Sequence, residues 1–296
     1  PLSDCSGSDP IISLTWSGVG GATEYEILRD STTAPPIDTV GITTYSDTTV
    51  QPLESHTYYI RAKNLTETGP ESDPQSLTVA RCGPVLALQS QSCLATGPKV
   101  TIQWNALNGV NEYNIIRDAT VIGTVPATQT LFNDTTANGA TSYAYTVRAV
   151  WTGDTKNSDP LPVTTLACPP IATMAGTCNA PGPQAELSWN AMPGAINYHI
   201  LKNGTFVGET TGTFFFHTGV VQLESPDPSY VVRAVYPSAA TADATAVSKQ
   251  IPRCPPLLTA QSTCDLTTAS VNLLWTDTAG ATQYNVFRDG AIIAQP

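Results

Sequence analysis

The sequence predicts an all-β protein built from tandem β-sandwich modules, and three observations carry this prediction. Four tryptophans recur 88, 85 and 86 residues apart, and each is followed nine residues later by a tyrosine. A composition rich in Thr, Pro and Gly, with only two Met, favours short strands and turns over helices. No segment keeps the 3.6-residue period of a helix over ten or more residues. Because a fixed period reflects a repeated structural unit, we expect one sandwich per period. The four tryptophans are Trp16, Trp104, Trp189 and Trp275.

Within each copy, the elements follow one order. The segments SLTW, VTIQW, AELSW and VNLLW alternate apolar and polar residues, which predicts a half-buried strand ending at the tryptophan. The tyrosine then opens a second strand, read as YEILRD, YNIIRD, YHILKNG and YNVFRDG. Asn203-Gly204 and Asp289-Gly290 predict a tight hairpin turn after this strand. The next segments are TTYSD, TLFND and TFFFH, whose predicted inward residues are Tyr45, Phe132 and Phe215.

A further strand recurs as YYIRA, YTVRA and YVVRA, so that each copy of roughly 86 residues holds about six or seven short strands. With these motifs the chain resembles the fibronectin type III family, in the style of bacterial secreted proteins. The resemblance covers nearly the whole chain and implies tandem immunoglobulin-like sandwiches arranged as a rod. It implies no single function, because such modules serve as spacers, adhesins and filament subunits. The segments before the third motif lack the family's usual Pro-Gly turn, which leaves open whether Tyr143 or Tyr145 makes a corner hydrogen bond.

The repeat also predicts the domain boundaries. Cys82-Gly83-Pro84, Cys168-Pro169-Pro170 and Cys254-Pro255-Pro256 close successive copies without a Gly/Ser linker, so we expect a stiff rod. The last copy would be completed by further chain or by another molecule. The predicted domains are residues 1–82 (first strand truncated), 83–168, 169–254 and 255–296 (N-terminal half only).

The cysteines predict disulfides and an oxidising compartment. Their gaps alternate between 75–77 and 10–11 residues, which fits either pairing within copies or clips across the junctions. In the implied fold the first and last strands meet at one pole, which favours the within-copy pairs, whereas a clip would join two ends of one extended strand. Cys264 would then lack a partner. Regular disulfides predict a secreted or cell-surface protein. The favoured pairs are Cys5–Cys82, Cys93–Cys168 and Cys178–Cys254.

Charge and motifs exclude several functions. The net charge of −11 argues against nucleic-acid binding, and no stretch is long and apolar enough to span a membrane. Nucleophile-elbow, zinc-protease, dinucleotide and phosphate-loop patterns are all missing, and His56, His199 and His217 lie beside no nucleophile pattern. We therefore expect no enzyme activity, no cofactor and no metal site.

The charged residues at repeat positions predict structure rather than a binding stripe. The acids in turns, such as Asp47 and Asp134, are expected to be solvated, with a weak calcium site as the alternative. The bases are expected to pair across strands. They are Arg29, Arg61, Arg117, Arg148, Lys202, Arg233 and Arg288.

Two further features of the sequence are not accounted for by the repeated motifs. Trp151 and Tyr236 occupy equivalent positions after the third motif, and we expect both to pack into a junction with the preceding copy. Asn64, Asn133 and Asn203 begin Asn-X-Thr sequons and are candidate glycosylation sites.

The function predicted first is structural: part of an extracellular filament, fibre or stalk, whose partners are other copies of itself or other surface proteins. The alternative is an adhesive or carbohydrate-binding accessory region of a larger secreted enzyme or adhesin. An exposed aromatic cluster on one copy would favour the alternative, whereas complementary surfaces repeated on every copy would favour the filament.

Overall fold

The protein is all-β. The computed structural model describes residues 1–179, 182–264, 268–278 and 281–296, and over these residues it contains 28 strands and no helix. Over the same residues there is accordingly no helix that could cross a membrane. The chain divides into two compact units, the first comprising Pro1–Ser90, Val100–Asp134 and Ser142–Val163, the second Gln91–Lys99, Thr135–Thr141 and Thr164–Pro296.

The first unit contains a sandwich of eight strands. They are β1 (Leu2–Ser6), β2 (Asp9–Thr15), β3 (Glu24–Arg29), β4 (Asp38–Val40), β5 (Thr44–Asp47), β6 (Ser55–Lys63), β7 (Thr68–Glu71) and β8 (Gln75–Thr78). One sheet has the order β1-β2-β5 and the other β4-β3-β6-β7, with β8 also paired to β6. Ile12 and Leu14 from the first sheet meet Ile27 and Tyr58 from the second in a shared core.

The next eight strands repeat this topology. They are β9 (Leu86–Leu94), β10 (Gly97–Trp104), β11 (Glu112–Arg117), β12 (Thr120–Pro126), β13 (Leu131–Asp134), β14 (Ser142–Trp151), β15 (Asp154–Asn157) and β16 (Leu161–Thr164). The sheets have the orders β13-β10-β9 and β12-β11-β14-β15, with β16 also paired to β14. The core of this second sandwich lies within the first unit and includes Val100, Ile102, Ile115 and Val147, all fully buried.

The second unit contains the third sandwich. Its strands are β17 (Ala172–Asn179), β18 (Gly182–Trp189), β19 (Asn197–Lys202), β20 (Thr205–Thr210), β21 (Phe214–Thr218), β22 (Ser229–Val235), β23 (Thr241–Asp243) and β24 (Val247–Ser248). The orders are β17-β18-β21 and β20-β19-β22-β23, with β24 also paired to β22. Leu187, Ile200 and Val232 are fully buried between the sheets.

The last four strands form two separate hairpins. They are β25 (Leu258–Cys264), β26 (Ala269–Trp275), β27 (Val286–Arg288) and β28 (Ala291–Ala294). Their apolar side chains stay exposed, with Val271 64% and Leu274 70% accessible.

Each described sandwich has eight strands rather than the predicted six or seven, because the last strand is interrupted. Between β7 and β8, Ser72 leaves the ladder, and its Oγ accepts a hydrogen bond from the Ile60 N–H at 3.0 Å. Ser158 does the same for Val147 in the second sandwich. In both places the chain continues Ser-Asp-Pro, and a proline cannot donate to a ladder.

The constant gap between tryptophan and tyrosine has a structural reason. The rings of Trp104 and Tyr113 pack edge to face with centroids 5.4 Å apart, and the other three pairs lie 5.4–5.7 Å apart. The Tyr113 hydroxyl also accepts a hydrogen bond from the Leu107 N–H at 2.9 Å. The same bond, always from the residue six positions earlier, occurs in every copy. The pair therefore fixes the length of the loop that joins the two sheets.

Candidate functional site

Trp151 connects the second sandwich to the end of the first. It closes β14 and is 6% exposed, and its indole Nε1 donates a hydrogen bond to the Asn108 carbonyl at 2.9 Å. The Arg81 guanidinium lies over the indole ring, 4.6 Å from its centroid, and forms an ion pair with Asp154 at 3.6 Å. A cation above an aromatic face is attracted by the ring quadrupole. A cleft of about 490 Å³ opens beside these residues.

Tyr236 occupies the equivalent position in the third sandwich and is 1% exposed. Its hydroxyl donates to the Cys168 carbonyl at 2.7 Å and accepts from the Cys168 N–H at 3.2 Å. The ring lies against Gly139, where an added Cβ would come within 2.7 Å of it. Both aromatic residues thus contact residues of the preceding copy, Trp151 through a cation and Tyr236 through backbone hydrogen bonds.

Three disulfides join the first strand of each of the three sandwiches to the segment that follows its last strand. The Cys5–Cys82, Cys93–Cys168 and Cys178–Cys254 pairs have Cα separations of 5.8, 5.5 and 5.3 Å. These distances lie in the ordinary range for a disulfide. Cys264 is free and exposed.

Asp47 is buried, and the expectation of a solvated turn is wrong for it. Its carboxylate accepts hydrogen bonds from Arg29 Nη1 at 2.7 Å, from the Tyr58 hydroxyl at 2.8 Å and from Thr49. Burial raises the pKa of Asp47, but the hydrogen bonds from Thr49, Tyr58 and Arg29 outweigh it and hold the pKa below its ordinary value. The reason is that Asp47 is the last residue of β5, where it pairs with Ile12 of β2 and its side chain is buried.

Asp134 repeats the arrangement in the second sandwich, where the solvated-turn expectation is wrong for the same reason. It is 2% exposed and accepts from Arg117 at 2.6 Å and from the Tyr145 hydroxyl at 2.7 Å. Burial, followed by the bond to Asp134, raises the pKa of Tyr145. The Tyr145 hydroxyl therefore stays protonated and, with Arg117, donates a hydrogen bond to the Asp134 carboxylate. Tyr145 thus bonds the Asp134 side chain, and the ring of Tyr143 lies under Arg117.

The third sandwich departs from this pattern because a histidine replaces the aspartate. His217 Nδ1 lies 2.8 Å from the Tyr230 hydroxyl, and Lys202 instead pairs with Glu224 at 2.7 Å. Burial, and then the charge of Lys202, lowers the pKa of His217. Burial, followed by the charge of Glu224, raises the pKa of Tyr230 to about 12.

Three further bases at repeat positions pair across strands, namely Arg61, Arg148 and Arg233. Arg61 on β6 reaches Glu26 on β3 at 3.3 Å and Glu71 at 2.7 Å, and Arg233 makes two bonds to Asp243. Arg148 donates to the Asn157 side chain at 2.9 Å.

The sequon asparagines all use their side-chain oxygens. Asn64 accepts from the Glu67 N–H at 2.8 Å within a turn, and Asn203 accepts from the Ser229 N–H at 2.9 Å. Asn133 accepts from the Thr101 hydroxyl at 2.7 Å. Asn133 and Asn203 are exposed and Asn64 is half-buried. Glycosylation at these positions stays a prediction.

The other two histidines contact acidic side chains. His56 contacts Asp30 at 2.7 Å and Glu54 at 3.1 Å, and His199 contacts Glu209 at 3.3 Å. Across the part of the chain that the structure describes, no group of three or more His, Cys, Asp or Glu is placed to hold a metal ion.

The feature that sequence reasoning missed is an exposed phenylalanine pair on β21. Phe214 and Phe216 are 58% and 45% exposed, and their ring centroids lie 5.8 Å apart. Alternation along TFFFH was the available signal, because an inward Phe215 places both neighbours on the outer face.

The sheet orders, the Trp–Tyr pairs and the disulfides now identify the architecture. The fold is a tandem array of fibronectin type III-like sandwiches. No protein-family model matches the chain. Among solved structures, the FN1–FN3 domains of chicken CNTN1 show 14% identity and a TM-score of 0.25, covering 85% of this chain and 97% of that one. The central fibronectin-III array of RIM-binding protein shows 17% identity and a TM-score of 0.26, covering 84% and 94%. At such scores these likenesses carry no argument, and the fold rests on the strand order.

Two curated proteins are similar to this fibronectin type III-like array in sequence. Exoglucanase B of Cellulomonas fimi is 28% identical over 255 residues, covering 73% of this chain and 22% of that protein. Poly(3-hydroxybutyrate) depolymerase of Delftia acidovorans is 38% identical over 55 residues, covering 19% of this chain and 11% of that protein. The chain therefore spans less than a quarter of the length of either relative.

Proposed function

We propose that the array is a non-catalytic accessory region of a larger secreted enzyme that acts on a glucan. The observation that carries the proposal is the match to Exoglucanase B, which extends over 255 residues of this array and only 22% of that protein. A stretch of this size within a much longer enzyme fits a region that accompanies the catalytic part.

An extracellular location is supported by the cysteines. Each of the three disulfides closes a sequence separation of 75–77 residues. Bonds of this kind persist in oxidising compartments and are rare in the cytosol. The array would therefore work outside the cell, where a polymeric glucan is found.

A non-catalytic role is supported by the way that the ionisable groups are used. Glycoside hydrolysis needs two carboxyl groups facing each other across a substrate. The buried carboxylates, Asp47 and Asp134, instead lie in separate sandwiches, each bound to an arginine and a tyrosine. Both side chains are buried and already hydrogen-bonded within their own sandwiches, so they do not face each other across a substrate.

A spacing role is supported by the contacts of Trp151 and Tyr236 with the preceding copies. The proposal divides the array into the domains 1–82, 83–168, 169–254 and 255–296. At the junctions, Arg81 of the first domain contacts Trp151 of the second, and Cys168 of the second domain contacts Tyr236 of the third. Such contacts would keep neighbouring sandwiches in register and set the distance between the parts of the enzyme that flank the array.

Two experiments test the proposal against the filament alternative. The oxidised chain, carrying Cys264→Ser to prevent artificial dimers, is studied by light scattering and negative-stain electron microscopy. We expect monomers of 31.2 kDa that hydrolyse no glucan. An antibody against the array should then capture, from the culture medium of the source organism, a longer polypeptide with glucanase activity. Regular filaments of the isolated chain, or a captured parent without that activity, would overturn the proposal.

A further inference from the structure

We propose that the outer face of the β17-β18-β21 sheet binds a neutral glucan chain through Phe214 and Phe216. This inference rests on the proposed function and specifies where the array would contact the polysaccharide. The aromatic face is defined here by Phe214 and Phe216 on β21, Glu186 and Ser188 on β18, and Thr173 on β17.

The register of the sheet places polar groups beside the rings. Ser188 lies opposite Phe214 and Glu186 opposite Phe216 on the neighbouring strand. Thr173 lies opposite Ser188 on the other side, and their hydroxyls are 2.8 Å apart. Phe215, between the two rings, packs against the core, so the outer rings are presented to solvent by strand alternation.

This combination matches the chemistry of a sugar ring. A pyranose has apolar C–H faces that pack on aromatic rings and a rim of hydroxyls that need hydrogen-bond partners. The aromatic face offers two rings, two hydroxyls and one carboxylate acceptor. The strands β17, β18 and β21 contain no Lys or Arg, so the face has nothing with which to pair an anionic polymer.

Among the described residues of the three eight-stranded sandwiches, the aromatic face occurs only on the third. The residues equivalent to Phe214 and Phe216 are Thr44 and Ser46 in the first sandwich and Leu131 and Asn133 in the second. Asn133 is engaged with Thr101 at 2.7 Å. A surface for building a filament would recur on every copy, whereas a ligand site need occur only once. Exposed apolar clusters of this kind commonly mark interaction sites.

The angle between the phenyl rings of Phe214 and Phe216 limits the kind of glucan that can contact both. The two ring planes meet at 61°, so both rings cannot lie flat on one planar surface. A single, twisted chain could instead place one sugar face on one ring and a sugar edge against the other. We therefore expect binding to soluble glucan chains rather than to the flat face of crystalline cellulose.

The test measures binding of the full oxidised chain to soluble probes, namely hydroxyethylcellulose and mixed-linkage β-glucan, by affinity electrophoresis and calorimetry. The test variant is Phe214→Thr with Phe216→Ser. It introduces the residue types that the first sandwich has at these two positions, Thr44 and Ser46 of β5, so we expect the strand to fold. We expect it to weaken binding at least tenfold, about 1.4 kcal/mol. The control is Phe206→Val, which removes a 55%-exposed phenylalanine from the other sheet and installs the residue of the second sandwich. It should leave the affinity unchanged.

Several outcomes would overturn the inference. These are no binding of either probe by the unaltered chain, equal loss in the Phe206→Val control, or preference for crystalline cellulose. Self-association that the double variant abolishes would identify a second copy as the occupant instead. The first three results leave the accessory role unaffected, because that role fails if the captured parent protein lacks glucanase activity or the chain forms filaments.

Discussion

At the scale of single residues, the three sandwiches differ most at one position of the β5, β13 and β21 strands. Asp47 and Asp134 each bind an arginine and a tyrosine, whereas His217 binds only the tyrosine of its copy. A buried carboxylate must be matched by cations and donors, and the first two copies supply both. In the third copy the neutral imidazole of His217 needs no cation, and Lys202 forms an ion pair with Glu224 instead.

This difference predicts a pH response confined to the third sandwich. The pKa of His217 is lowered from 6.5, by burial first and by Lys202 second, so the unfolded chain takes up a proton before the folded chain does. Stability is complete above about pH 6.5 and falls as the pH drops below it. Hydrogen exchange of the β19 and β22 amides, corrected for intrinsic rates, should become faster between pH 7.5 and 5.5.

The control for this response is His217→Asp, which restores the residue type of the other two copies. In this variant, the third sandwich should lose stability only near pH 4, the range in which carboxylates titrate. The first sandwich, whose Asp47 has a lowered pKa, should keep its protection over the whole interval. A loss of the same size in the variant, or in the first sandwich, would contradict the prediction.

At the scale of elements, the hairpin after the tyrosine strand is set by two left-handed residues. Asn203 and Gly204 have φ of 49° and 81°, as the Asn-Gly dipeptide predicts. The second copy makes the same turn with Asp118 and Ala119, at 46° and 68°. An alanine is strained in this conformation by about 1–2 kcal/mol, whereas glycine is not.

We predict that Ala119→Gly stabilises the second sandwich. Relief of the strain exceeds the extra entropy that glycine has in the unfolded chain, leaving a gain of roughly 0.5–1 kcal/mol. Urea unfolding measures it, and Ala106→Gly, at a position without positive φ, is the matched control and should be neutral or destabilising. An unchanged or lower midpoint for Ala119→Gly would show that the turn is not strained.

The junction between the first and second sandwiches depends on Trp151. Trp151→Ala removes a buried indole and the surface on which Arg81 lies, and should destabilise the second sandwich by about 3–5 kcal/mol. It should also increase bending between the two copies in small-angle scattering.

A second variant separates these two effects. Arg81→Gln removes the cation from the ring and from Asp154 but leaves the core of the second sandwich intact. We expect the same increase in bending with almost unchanged stability. Scattering profiles that match the unaltered protein in both variants would mean that Trp151 is a core residue only.

At the scale of the whole molecule, each of the three eight-stranded sandwiches carries its own core and its own disulfide. A covalent cross-link restricts the unfolded chain more when it closes a longer loop. Since the three loops are nearly equal in length, the three copies should gain nearly equal stability.

We predict that opening a disulfide destabilises its sandwich by about 4 kcal/mol. The double variant Cys178→Ser with Cys254→Ser should lower the unfolding temperature of the third sandwich, seen by calorimetry, and leave the other two transitions in place. Cys264→Ser, which removes the free thiol, is the control and should change none of them. A shift of all three transitions in the double variant would show that the copies unfold together.

The sequence by itself determined the repeat, the succession of strands along the chain and the hairpin turn at Asn203-Gly204, because these follow from spacing, alternation and local backbone preference. Trp104 and Tyr113 are an example: a gap of nine residues is enough to close the loop between two sheets. Only the tertiary structure decided the burial of Asp47 and the loss of that pattern at His217. Each of these depends on which side chains meet from strands that are distant in sequence, and no local pattern specifies such meetings.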